Sequence, residues 1–200
     1  MISGQLSLLG RGEPSVAMDF ARAQRTELGA GAWVDYAPGF VDGHAELFET
    51  LSRTTRWRRG QEQMYDRLVD APRVFASIPD DGPGHPVLDR VRRALEARYQ
   101  TAFPRLSLAM YRDGKDSVAW HGDRVARRME QTLVASISVG APRRLLLRPY
   151  GGGASVGFRL GWGDLFVMGG TCQRTWQHSV PKVAHAEPRI AIMFRPLWEE

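Results

Sequence analysis

The sequence predicts a mainly β protein, α+β overall, with a core of the sandwich or barrel type preceded by helices and a lid loop. Two observations carry the prediction. After Pro104 the chain breaks into about eight short, β-prone runs: Arg105 to Arg112, Ser117 to Trp120, Thr132 to Val139, Arg143 to Arg148, Val156 to Leu160, Asp164 to Met168, Arg174 to Val180 and Arg189 to Arg195. Turn residues separate them (Asp113-Gly114, Gly140-Ala141-Pro142, Gly151-Gly152-Gly153, Gly161-Trp162-Gly163, Gly169-Gly170), and about eight strands is the number of a jelly roll. Before Pro104 the period differs. Val87, Leu88, Val91, Leu95 and Tyr99 recur at three and four residues. That spacing predicts a helix from Pro86 to Tyr99, with Arg90, Arg92, Arg93 and Arg98 on its solvated side.

The remaining elements follow in order. Residues 1 to 30 show no convincing period, and Gly29, Ala30 and Gly31 punctuate them before Ala32-Trp33-Val34-Asp35-Tyr36, which alternates like a short strand. Pro38-Gly39 is a turn, and Asp42 is the candidate cap of a helix from Gly43 to Ser52 with Leu47, Phe48 and Leu51 as its apolar face. Residues 60 to 86 are rich in breakers (Pro72, Pro79, Gly82, Pro83, Gly84, Pro86) and read as a long loop of the kind that forms lids. One domain over 1–200 is expected, with a helix-and-lid half over 1–103 and the β core over 104–198.

Composition bounds the function. At 200 residues, 43% hydrophobic and 24% charged, the chain can build one sizeable core. The single cysteine, Cys172, excludes an internal disulfide framework and fits a reducing compartment. The first ten residues lack a basic leader and a long apolar run, so a signal peptide and a membrane span are not expected and the cytoplasm is the default. Net charge is +5, and 25 of the 27 basic residues are Arg, the better phosphate fork. A polyanionic partner fits that balance, as does mere genome composition.

Chemistry concentrates at Trp120-His121-Gly122-Asp123. In an extended segment His121 and Asp123 share a face. With the more distant His178 they make a two-histidine, one-carboxylate set that suits Fe(II) and O₂ chemistry. The strand Arg189-Ile190-Ala191-Ile192-Met193-Phe194-Arg195 has a core face of Ile190, Ile192 and Phe194. Its opposite face carries Arg189 and Arg195, about 20 Å apart at roughly 3.3 Å per residue. An inward arginine needs an anionic partner, supplied by protein acids or by a ligand carboxylate, and Tyr111 offers a hydroxyl to such a site. A dicarboxylate such as 2-oxoglutarate would fill this role, chelating the iron at one end. Arg53-Thr54-Thr55-Arg56-Trp57-Arg58-Arg59-Gly60 mixes phosphate donors with a stacking surface. Trp57, Arg58, Tyr65 and Arg124 are the candidate substrate contacts.

Leu106 to Ser117, Trp120 to Asp123, Gly163 to Gly170, Trp176 to Pro181 and Pro188 to Arg195 together resemble, in order, the AlkB family of Fe(II)/2-oxoglutarate dioxygenases. The resemblance covers residues 104 to 198. It implies a double-stranded β-helix (jelly-roll) core and a nucleotide-recognition lid ahead of it. It also implies oxidative demethylation of N-alkylated bases, of the DNA-repair type, in which O₂ and 2-oxoglutarate yield succinate, CO₂ and formaldehyde. By position His121, Asp123 and His178 would hold iron, Arg189 and Tyr111 the 5-carboxylate of 2-oxoglutarate, and Arg195 would lie by its 1-carboxylate. Alkylated DNA or RNA is the expected partner, with no membrane, and a monomer is the expected state.

The chain departs from the family pattern at Ala109 and Ala191, where the family often has Asn, and at Arg124-Val125-Ala126-Arg127-Arg128, where repair enzymes often carry acids that read the base edge. A cation cannot accept a proton from an exocyclic amine. Two alternatives follow: the same cofactor chemistry on a protein or small molecule, and a non-enzymatic nucleic-acid-binding module. Among other residues, His185 is the rival distal ligand, His44 and His85 read as surface or capping residues, Cys172 as a packing thiol, and Gly151-Gly152-Gly153 as a hairpin turn.

Overall fold

The computed structural model describes residues 12–64, 67–123 and 129–197. In chain order its elements are β1 (Ser15–Val16), β2 (Gln24–Gly29), β3 (Ala32–Ala37), β4 (Val41–Asp42), α1 (His44–Thr54), β5 (Arg58–Met64), β6 (Arg67–Ile78) and α2 (Pro86–Tyr99). Then come β7 (Arg105–Tyr111), β8 (Val118–His121), β9 (Thr132–Gly140), β10 (Arg143–Pro149), β11 (Val156–Leu160), β12 (Asp164–Gly170), the single turn α3 (Cys172–Thr175), β13 (Trp176–Val180) and β14 (Arg189–Arg195).

The eight strands after Pro104 divide four and four. β12-β9-β14-β7 lie side by side in the large sheet, and β11-β10-β13-β8 make the small one. This is the jelly roll. The N-terminal half extends the large sheet at both ends, with β3 and β2 beyond β12 and with β6 and β5 beyond β7. All these pairings are antiparallel.

Two apolar layers hold the sheets. Outside the large sheet, Leu47 and Leu51 of α1 and Val87, Leu88, Val91 and Leu95 of α2 pack with Ile190, Ile192 and Phe194 of β14. Each such side chain contributes about 1.5–3 kcal/mol on burial. Between the sheets lies a second cluster, including Ala109, Tyr111, Leu147, Phe166, Val180 and Ala191. β14 therefore serves both layers by strict alternation, and its inner face carries Arg189, Ala191, Met193 and Arg195.

Four local expectations are corrected. Residues 60–86 are not one long loop, because most of them form the β5–β6 hairpin. Pro72 is tolerated since the ladder shifts register between Arg59 and Gln61, which pair with Val74 and Asp70. A bulge needs no ladder N–H there. Asp42 does not cap α1. Gly43 does, at φ 65°, where an added Cβ would stand 2.5 Å from the Gly12 carbonyl oxygen. Arg174 is not in a strand, because its N–H and that of Thr175 both reach back to the Thr171 carbonyl and close the α3 turn. Arg90 is not on a solvated face, since Nη2 donates to the Pro14 carbonyl at 2.6 Å. β2 escaped notice because it is an exposed edge strand, without an apolar period to read. His85 does cap α2, its Nδ1 accepting from Val87 N at 3.1 Å. No helix among the described residues is long and apolar enough to cross a membrane.

Candidate active site

The first half of the site is a cross-strand pair of imidazoles. β13 and β8 place His178 opposite His121, with ring centroids 4.2 Å apart and planes at 49°. The register slips between His178 and Val180, which oppose His121 and Val118. The extra residue on β8 lets both Val118 and His121 face inward and brings the Ala119 carbonyl to 2.9 Å from His121 Nδ1. A carbonyl only accepts, so Nδ1 carries the proton and Nε2 keeps its lone pair for a metal. Burial holds the His178 pKa well below the usual histidine value, with the facing His121 adding to the effect. The buried His178 ring is therefore disposed as a neutral donor. His185, the rival, lies exposed in the connection to β14.

Asp123 sits just past the end of β8, its backbone N–H donating to Gln173 Oε1 at 3.0 Å. Arg195 Nε donates to its carboxylate at 3.1 Å. Burial works to raise the Asp123 pKa, but Arg195 and the two histidines outweigh it and hold the group ionised. Among the described residues no three His, Cys, Asp or Glu side chains are already drawn up as a finished metal cage. What stands there is a facing pair of imidazoles and an adjacent carboxylate held by an arginine. In donor chemistry this is a fit for a divalent iron.

The second half is a cationic pocket. Arg189 and Tyr111 are register partners on β14 and β7 and only 3% and 4% exposed. Arg189 Nη2 donates to Ser138 Oγ at 2.7 Å, while its buried Nε has no partner. Tyr111 is flanked by two guanidiniums, Arg189 at 5.4 Å and Arg143 at 5.8 Å from its ring. Burial lowers the pKa of both arginines. Arg143 spends its donors on the carbonyls of Asp113, Asp116 and Pro181. A buried guanidinium that, among the described residues, has a free donor and no carboxylate bonded to it, beside a second cation, suits an anionic ligand. Arg195 is at the other end of the strand, on Asp123 and on Ser107 Oγ at 2.7 Å.

The expected substrate contacts fare differently. Trp57 packs against the helix-side core and donates Nε1–H to the Ser52 carbonyl at 3.3 Å, so it secures the end of α1. Arg58 and Arg56 both pair with buried Asp81, which also accepts from Ser77 N at 2.9 Å. These residues clamp the base of the β5–β6 hairpin through Asp81, which the sequence reading overlooked, while both guanidiniums stay largely exposed. Tyr65 and Arg124 lie outside the described residues. Also overlooked were Ser138, Ser107 and Gln173. The two serines had a readable signal: each is a polar residue on the inner-face parity of an apolar strand. Gln173 had none.

Comparison with known proteins shows the family and the fold. The sequence model described as the 2OG-Fe(II) oxygenase superfamily matches residues 41–195. The alpha-ketoglutarate-dependent dioxygenase alkB homolog 3 of Bos taurus is 32% identical over 187 residues, covering 82% of this chain and 65% of that protein. The DNA oxidative demethylase ALKBH2 of Bos taurus is 24% identical, covering 94% of this chain and 76% of that protein. The chain thus spans a little under two thirds of the alkB homolog 3 length. Among solved structures, OsALKBH1 aligns with a TM-score of 0.59 at 13% identity, over 87% of this chain and all of that one. A 2OG-Fe(II) oxygenase family oxidoreductase from Burkholderia pseudomallei aligns at 0.56 and 12% identity, over 84% and 86% of the two chains. At that identity the likeness is one of fold.

Proposed function

Since the chain belongs to the 2OG-Fe(II) oxygenase superfamily, and by its relatives to the AlkB branch, we propose that it removes alkyl groups oxidatively from bases in nucleic acid. The cofactors of the family are Fe(II) and 2-oxoglutarate, with O₂ as co-substrate. In this reading His121, Asp123 and His178 hold the iron. When bound, iron supplies the oxidising power that turns an N-methyl group into a hydroxymethyl group, which leaves as formaldehyde while 2-oxoglutarate becomes succinate and CO₂.

The residues of the chain do the rest. Arg189 takes the far carboxylate of 2-oxoglutarate on its free Nε, with the Tyr111 hydroxyl beside it. Ser138 steadies the guanidinium by accepting from Nη2. Arg195 fixes the Asp123 carboxylate and lies toward the near carboxylate of 2-oxoglutarate. The Ala119 carbonyl keeps the His121 tautomer and Gln173 anchors the Asp123 backbone. A base in a duplex must leave the stack to reach this interior. Cys172, buried with its thiol pushed up to about 12, is inert in the reaction, and such a thiol fits the cytoplasm as the site of action.

The observation that carries the reading is Arg189: buried, next to Arg143, and with an Nε donor that no group among the described residues uses. Its test is direct. Protein given Fe(II), 2-oxoglutarate and an oligonucleotide containing 1-methyladenine or 3-methylcytosine is expected to release formaldehyde and succinate. Absence of turnover on both bases, in DNA and in RNA, would overturn the substrate.

A further inference from the structure

The net charge of the chain is +5, and residues 131–186 alone carry it: six Arg and Lys against one carboxylate, Asp164. That carboxylate is buried and bonded to Tyr36 and to the backbone of Gly39 and Gly161. The four strands of the small sheet contain no acidic residue. Their inner face carries His121 and His178. Their outer face carries Arg144, Arg148 and Arg159.

This outer face is built in ways that packing does not explain. β10 and β11 set Arg144 directly opposite Arg159, and both are exposed. Like charges facing across a ladder cost stability unless an anion sits between them. Gly157, opposite Leu146, makes room for the Arg144 guanidinium: a Cβ there would stand 3.0 Å from Nη2. Two of the arginines lie over indoles. Arg148 is 4.2 Å from the Trp120 ring, with Nε and Nη2 both donating to Gln177 Oε1. Arg159 is 5.6 Å from the Trp162 ring. Trp162 is 53% exposed at φ 47°, a backbone conformation a bulky residue rarely adopts. It is pinned by its N–H to the Gly140 carbonyl at 3.2 Å and that of Gly163 to the Ser138 carbonyl at 2.7 Å. The fold thus spends strain to present an indole to solvent.

We propose that Arg144, Arg148, Arg159, Trp120 and Trp162 form a docking track for the backbone and bases of single-stranded nucleic acid, outside the catalytic centre. The proposal rests on the nucleic-acid reading above. Guanidiniums flanked at both ends by indoles take phosphates and stacked bases, and no carboxylate on the face opposes them. The track runs across the sheet from β11 to its edge strand, β8. It ends at Trp120, the residue before His121, so a strand leaving this edge arrives beside the candidate iron site.

Binding of dye-labelled, unmethylated oligothymidylate, followed by fluorescence anisotropy across a salt series, tests it. For Arg144→Gln/Arg159→Gln the slope of log K against log salt is expected to fall by about 1.4, at roughly 0.7 per phosphate contact. Trp162→Ala should weaken binding roughly tenfold with little change in slope. A control, Arg93→Gln/Arg98→Gln on α2, removes the same charge elsewhere and should leave the slope unchanged. Turnover of a methylated trinucleotide should be the same in all variants, while KM for a long methylated strand rises only in the track variants. The track is overturned if the double variant keeps the wild-type slope, if the α2 control lowers it as much, or if wild type ignores the oligonucleotide. Trinucleotide turnover with a wild-type slope in the double variant would sink the track and leave the function standing. A lost slope in a protein that never demethylates would do the reverse.

Discussion

Arg189 and Arg195 occupy the same face of the same strand, and the chain treats them in opposite ways. Arg195 has its counter-charge built in, the Asp123 carboxylate at 3.1 Å, with Ser107 closing its other side. Arg189 is more deeply buried and, among the described residues, meets hydroxyls in place of a carboxylate, Ser138 at 2.7 Å and Tyr111 beside it. Burying an arginine without a carboxylate is costly. A fold that keeps it has either a carbonyl cage, as Arg143 does, or an anion that arrives from outside. The carbonyls of Asp113, Asp116 and Pro181 are spent on Arg143, and in the proposed function Arg189 takes the ligand. One end of β14 positions a protein acid; the other waits for a foreign one.

The contrast can be broken at either end. The largest effect is expected for Arg189→Met, which removes the cationic anchor: KM for 2-oxoglutarate should rise about a hundredfold, as for loss of a roughly 3 kcal/mol charge-assisted contact. Iron affinity should be nearly unchanged, and a titration of each ligand separately checks both. For Arg195→Met the pattern reverses. Iron affinity should fall about tenfold because a partner of a metal ligand is lost, with a smaller change in KM for 2-oxoglutarate. Equal effects of the two variants on both constants would erase the distinction between the ends.

Smaller effects sharpen it. Asp116 accepts from Arg112 N and Nε, both at 2.8 Å, in the loop whose carbonyls cage Arg143. Burial works to raise its pKa, but the Arg112 bonds prevail and hold it below the usual value. A depressed carboxylate contributes stability at pH above the unfolded value of about 3.9. That contribution is lost as pH falls through the lower folded value. With Arg112 half exposed, it is about 1 kcal/mol, and Asp116→Asn should flatten this part of the acid limb in thermal melts. Ser138→Ala is expected to raise KM for 2-oxoglutarate only about fivefold, since it loosens the Arg189 guanidinium without removing it, at about 1 kcal/mol per neutral hydrogen bond.

How much of this was readable in the chain depends on whether one residue's parity carried the information. β14 was legible to both its ends because Ile190, Ile192 and Phe194 alternate with its arginines and mark both faces at once. Pro86 to Tyr99 was legible because one apolar stripe and a proline start agree. The β5–β6 hairpin was not, because Pro72 normally excludes a central strand and only the register shift, a property of the paired strands, makes room for it. The site divides in the same manner. His121, Asp123 and His178 announce themselves by type. No sequence pattern tells that Asp81, more than twenty residues on, folds back to pair with Arg56 and Arg58. Gln173 is invisible for the same reason, its role lying across 50 residues from Asp123.

The slipped register on β8 sets a limit on how this chain can change length. Between Val118 and His121 the count of residues decides which side chain looks into the barrel. Deleting Ala119 or Trp120 would erase the slip, and with it either the carbonyl that meets His121 Nδ1 or the indole beneath Arg148. The Tyr150–Ser155 connection is under no such constraint: Gly151 and Gly152 have nothing within 4 Å of where a Cβ would be, so insertions there extend a turn into open space. Lineages of this fold are therefore free to lengthen the β10–β11 turn, while the few positions before Asp123 keep their number.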